Sequence, residues 1–286
     1  MNEANKEVRP AKEILTEVDR ENLRKMLENI STFASEMNKK IQHTVGAVEE
    51  FARQNAPVIA TIVKSLNQMP NDFSAIQKTL AERGWFFLTE MPASDYRSLK
   101  SLIDDSKFDD LDKTMSAWTL HLLDETEKKL CDLFPDREAL LREGFDNHRK
   151  GKYASAITLL LTQSDGLCFD SLKMIFFKER QEKGGIRVTG IKTELEALGI
   201  DGFTKIILHP VLTVSGINAN EEQIRNGEFP NSPHRNPILH GKVTDYASEL
   251  NSLKIISLVG FMGGVVHTIV EEAKKSVASP ISATTP

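Results

Sequence analysis

The chain has 286 residues, 40% apolar and 27% charged, with a formal net charge of −5. That composition excludes collagenous and wholly disordered classes, provides for a sizeable core, and at this length suits two ordinary domains. The acidic excess lies within residues 1–135 and the remainder is balanced, so neither half is a basic platform that gains nucleic-acid affinity by counterion release.

The N-terminus, Asn2-Glu-Ala-Asn-Lys-Glu7, lacks an apolar h-region, which argues against a secretory signal. Residues 11–68 read as long amphipathic helix, because Ile14, Val18, Leu23, Met26, Leu27, Ile30 and Phe33 recur at three- and four-residue steps. Pro57 predicts a kink or a new helix near Asn55. Asn71 or Asp72 is a candidate cap for a helix that stops near Gly84, and Trp85-Phe-Phe-Leu88 reads as a buried connector. Acidic helices follow over Ser94–Ile103 and Asp109–Leu133.

Phe134-Pro135-Asp136 is a break at which we expect a domain boundary, with Asp136 capping the next helix. Tyr153 then opens an apolar helix to Phe177, and the Lys- and Gly-rich stretch Glu182–Gly190 reads as a mobile loop. Shorter helices are expected over Ile191–Leu198 and Phe203–Val214, then a polar, turn-rich loop from Asn218 to Pro233. A last helix is expected from Asp245 to about Lys275, followed by a disordered tail over 276–286. The expectation is therefore an all-α chain with no sheet: an N-terminal helical region (1–135), a second helical domain (136–275) and the tail. Cys131 and Cys168 lie in helical patterns without CxxC or Cys/His metal spacing, so they read as buried thiols of a reducing compartment. The most apolar run, Ile255–Val266, falls short of the ~20 residues a membrane span needs, and a cytoplasmic protein without membrane contact is expected.

One segment concentrates chemistry: Ser232-Pro-His-Arg-Asn-Pro-Ile-Leu-His-Gly241. It places a permanent cation, Arg235, an amide, Asn236, and a titratable imidazole, His240, within six residues. Pro237 suits the first turn of a helix and Asn236 is a favoured N-cap. On this reading Arg235 precedes the helix. A break at Asn236-Pro237 would let its guanidinium fold back toward His240, which a regular helix would hold roughly 140° away. Upstream, Asp165 interrupts an apolar helix, where an unpaired buried carboxylate is costly. It either pairs with Arg235 or His240, or faces solvent beside Gly166.

Arg235, four residues beginning with a polar one, then His240 and Gly241, near a helix start in an all-α setting, resembles the HEPN superfamily signature. The resemblance covers about residues 137–275, and Tyr153–Gly166 is also similar to helices of a bacterial branch. It implies a metal-independent endoribonuclease that acts as a homodimer on tRNA or mRNA, as a toxin or antiviral effector, by 2′-hydroxyl transesterification. It also implies roles. His240 moves protons, Arg235 stabilises phosphate charge, Asn236 orients an oxygen or the imidazole, and His234 and Lys242 touch substrate. Residues 1–135 would then form a regulatory or assembly module for a partner. No cofactor or metal is implied, since there is no P-loop, Rossmann fingerprint or HExxH. Lys150, Lys152, Lys178, Arg180, Lys183 and Arg187 are candidates for a local basic patch.

Each feature has a structural alternative. Asn236 serves equally as a cap, His240 as a packed histidine, and the motif as a non-catalytic binding element of a helical interaction or nucleotide-binding protein. His209 and His267 read as packed or interfacial, and His121 and His148 carry no partner motif. Gly260, Gly263 and Gly264 in the last helix predict a close helix contact, either a dimer seam or packing within the domain.

Overall fold

The computed structural model describes residues 71–86, 91, 93–182, 187–200 and 202–278. The chain divides into two compact units, Met1–Met69 and Pro70–Pro286, and every described residue belongs to the second. The long helix expected over 11–68 and the kink near Asn55 lie outside the described residues, as do positions 279–286 of the tail.

Helix α1 (71–82) already contains Asn71 and Asp72, and ends before Gly84, whose φ of +81° favours glycine. Trp85 and Phe86 follow, fully buried as a connector. Then come α2 (Ala93–Asp104), α3 (Phe108–His121) and α4 (Leu123–Leu133). The single helix expected over 109–133 is thus two, parted at Leu122 (φ −94°, ψ 5°). Phe134-Pro135-Asp136 is a turn inside the unit. A 3₁₀ turn over Pro135–Arg137 leads into α5 (Glu138–Arg149), which packs against α4. Arg137, not Asp136, stands at the N-cap of α5, without a side-chain cap bond.

The core is built on α6 (Tyr153–Leu172) and α11 (Glu249–Gly260), which runs through a π-helical stretch (Phe261–Val266) into α12 (His267–Ala278). Leu160, Leu161, Leu167 and Cys168 on α6 and Ile255, Leu258, Phe261 and Val266 of the long helix are all fully buried where these elements pack together. Both cysteines are free and buried, and burial pushes the Cys168 thiol up to about 12, leaving it unreactive. The reason for the glycines lies here. A Cβ on Gly263 would collide with Leu130 and crowd Phe134, and one on Gly260 would press Thr126. The widened π turn and the missing side chains admit α4 to the core, so Gly260 and Gly263 serve packing within the chain. The dimer-seam reading gives way.

The expectation of no sheet is corrected by one small hairpin. Strands β1 (Glu179–Gln181) and β2 (Arg187–Thr189) pair antiparallel where a loop was expected, because Val188 and Thr189 are buried and dock on α8. The remaining helices are α7 (Lys192–Ala197), α8 (Gly202–Leu212), α9 (Glu221–Arg225) and α10 (Arg235–Leu239). The stretch read as a turn-rich loop contains α9, closed by a capping box between Asn220 and Gln223. The architecture is all-α apart from the hairpin. The continuous helix Glu249–Lys275 is longer than its apolar run and, by length and composition, could cross a membrane, yet 83% of its most apolar window is buried in the unit. Packing on α3, α4 and α6 accounts for that hydrophobicity.

Candidate functional site

The loop before α10 is anchored by close backbone approaches. Ser232 lies against Gly84 and Gly216, so tightly that a Cβ on Gly216 would stand 2.5 Å from both the Glu82 carbonyl oxygen and the Ser232 Cβ. His234 Nδ1 is 2.9 Å from the Gly216 carbonyl oxygen, and the Arg235 amide donates to the Ile217 carbonyl at 2.8 Å. These contacts start α10 two residues earlier than the sequence suggests. His234 is the N-cap, Arg235 the first helical residue, and Asn236 lies inside. Asn236 is therefore not a cap, and its side chain makes no hydrogen bond among the described residues. Pro237 falls in the first turn, where its missing N–H goes unused, and with Ile238 it is buried.

The expected break between Arg235 and the helix is absent, so Arg235 and His240 sit at opposite ends of α10, roughly 140° apart around its axis. Arg235 turns toward α6. Its Nη2 is 3.7 Å from Asp165 Oδ2, its guanidinium lies 5.0 Å from the Phe177 ring centre, and its Nε is buried with no hydrogen-bond partner among the described residues. This resolves the open reading of Asp165: the carboxylate pairs with Arg235. Burial raises the Asp165 pKa, opposed by the Phe177 amide, which donates at 3.1 Å, by Arg235, and by the Phe176 amide. Helix α6 stops at Leu172 so that the chain can turn, through Lys173 at φ +58°, and bring those amides to Asp165.

His240 is the C-cap of α10, exposed, and its imidazole makes no hydrogen bond among the described residues. Beside it, Lys242 pairs with Glu221 on α9. Glu221 is held below the usual carboxylate range by Lys242 first, then by Arg225 and His240.

His234, Pro237, Ile238 and Lys242 line one side of an open cleft of about 760 Å³, whose other walls come from α9 and the start of α11. Its floor holds a cluster the sequence reading missed. Asp112 accepts from Arg83 Nη2 at 2.7 Å and from Trp85 Nε1 at 2.8 Å, with Lys254 Nζ at 4.0 Å. Lys254 is fully buried, donates to the Asn231 carbonyl at 2.5 Å and faces the Trp85 ring. A lysine inside the apolar run Leu253-Lys254-Ile255-Ile256 was the available signal, since such a group needs a buried partner. Burial lowers its pKa to about 8, against the pull of Asp112 and with help from Arg83.

A pH prediction follows from that shift. Between pH 8 and the unfolded lysine value near 10.4 the unfolded chain binds more protons, so this group's contribution to stability grows as pH rises. Urea unfolding under reductant is expected to show wild type gaining about 1.5 kcal/mol over Lys254→Met between pH 8 and 9.5. Taking the difference removes the opposing cysteine titrations. A flat difference would mean that Lys254 keeps its ordinary value.

Two further histidines are bonded in the core: His148 Nδ1 to Ser252 Oγ at 2.8 Å and His267 Nδ1 to Ser171 Oγ at 2.9 Å. Burial lowers both pKa values, and both read as interhelical struts. The expected basic patch is interrupted by carboxylates: Lys150 pairs with Asp146, Arg180 with Glu194 and Arg187 with Glu179. Lys183 lies outside the described residues. No family model, curated protein or solved structure matches the chain.

Proposed function

We propose that the chain is an endoribonuclease of the HEPN type that cleaves RNA by 2′-hydroxyl attack and works as a homodimer. The observation that carries this reading is the exposed, uncommitted imidazole of His240, one short helix away from an arginine with unused donors. An exposed imidazole can both give and take a proton, and a guanidinium matches phosphate geometry. Because the two groups diverge around α10, one chain does not supply a complete pair. The complete site would form between copies, with His240 of one facing Arg235 of the other. Asp165 would hold Arg235 in place until phosphate replaces it as the counter-ion.

The second reading, a non-catalytic helical binding protein, is favoured by one observation. Arg235 already has a structural task, joining α10 to Asp165 and Phe177. The two readings separate on one assay. Wild type incubated with total RNA in EDTA is expected to yield fragments ending in 2′,3′-cyclic phosphate, and His240→Ala to lose that activity by about 10²–10⁴-fold, the usual worth of a positioned acid–base group. Equal behaviour of the two proteins, at equal thermal stability, would leave the binding reading.

A further inference from the structure

The cleft beside α10 gathers polar groups that have no task in the protein alone. The Arg225 guanidinium, on α9, forms no hydrogen bond or close ion pair among the described residues. The Tyr246 phenol, on the connection to α11, is equally uncommitted, and its ring stacks on no other aromatic group there. The ion-pair partner of Lys242 is the exposed carboxylate of Glu221, which also attracts Arg225 and His240. Two cationic side chains, Arg225 and Lys242, thus stand beside the Glu221 carboxylate at the cleft's edge. Deeper in, Pro237 and Ile238 are buried and apolar.

We propose that this cleft is a nucleotide-binding subsite for single-stranded RNA, in which Tyr246 stacks a base, Arg225 and Lys242 hold the adjoining phosphate, and Glu221 occupies the phosphate's place until RNA arrives. The choice of RNA rests on the ribonuclease reading; the cleft itself does not depend on His240 being catalytic. Its volume falls within the range of small-molecule sites and leaves room for a nucleotide. An aromatic face beside Arg and Lys is how single strands are held, because every base has a π-face and every linkage a charge. At the mouth, Arg225 and Lys242 are balanced by Glu221 and Asp245, while Lys254 is answered below by Asp112. RNA must therefore displace Glu221 from Lys242, and the carboxylate opposes binding.

The test uses the full chain with His240→Ala, so that RNA stays intact, and a short fluorescein-labelled single-stranded oligoribonucleotide followed by anisotropy at low salt. Arg225→Ala and Tyr246→Ala are each expected to raise Kd roughly ten-fold, within the range for loss of one stacked base or phosphate contact. Tyr246→Phe is expected to bind like its parent, and Glu221→Gln several-fold more tightly. Thermal melts confirm that each variant is folded. Unchanged affinity in both alanine variants, or no binding at all, overturns the subsite even where wild type cuts RNA. Conversely, Arg225- and Tyr246-dependent binding by a protein that never cuts RNA keeps the subsite and removes the nuclease.

Discussion

Asp112→Asn is expected to destabilise the Pro70–Pro286 unit by about 3–5 kcal/mol, the range for removing one partner of a buried ion pair. Asp112 is 9% exposed and is the carboxylate against which both Arg83 and the fully buried Lys254 are placed. An amide of the same shape can still accept from Trp85, but it leaves two cations facing each other with no anion between them. Arg83 would then carry the desolvation cost of an unpaired charge, while Lys254, its pKa already lowered to about 8, would have to give up its proton or share that cost. Urea unfolding measures the loss directly. Adding Lys254→Met to Asp112→Asn removes one of the stranded cations and is expected to recover part of it, a coupling that a double-mutant cycle isolates. A loss below about 1 kcal/mol would show that water, not Asp112, solvates the two cations.

The cluster matters beyond stability because of where it ends. Lys254 reaches from α11 to the Asn231 carbonyl, three residues before His234. The same lysine that anchors α11 to α3 therefore also fixes the loop that delivers α10 to the cleft. Weakening it is expected to loosen the cleft before the rest of the unit unfolds, since local opening begins where buried apolar contacts are fewest.

Helices with a continuous apolar pattern were legible in the sequence. Tyr153 opens α6 as expected, Gly84 closes α1, and the long C-terminal helix forms, because three- and four-residue periodicity survives whatever the partner is. What was illegible depended on contacts distant in sequence. The hairpin at 179–189 is held by docking Val188 and Thr189 on α8, which three-residue strands do not announce. Asn236 looked like a cap by residue type, yet the Ile217 carbonyl claims the Arg235 amide and shifts the helix start. The same shift undid the expected fold-back of Arg235 toward His240. Asp165 was legible as a cost requiring a partner, and Arg235 is that partner. Lys254 carries the same signal, a charge set among Leu253, Ile255 and Ile256 that needs a buried partner.

Gly216→Ala is expected to be the most damaging methyl addition among the described glycines near α10, costing at least the 1–3 kcal/mol typical of overpacking. The added Cβ would stand 2.5 Å from a backbone carbonyl, Glu82 O, which cannot rotate away as a side chain can. Retreat is further blocked because the Gly216 amide donates to the Ala81 carbonyl at 2.9 Å while its own carbonyl meets His234. The strain would therefore be passed to Ser232, His234 and the start of α10, so cleft binding and stability should fall together. Ser232→Gly in the same protein removes the Ser232 contacts but not the carbonyl, and is expected to restore only part of the loss. Gly202→Ala supplies the contrast: that Cβ meets nothing within 4 Å on an exposed helical site, and stability should hold or rise by up to about 1 kcal/mol. If thermal melts place Gly216→Ala beside Gly202→Ala, then segment 81–84 and the 216–234 loop are not in the close register that positions the motif.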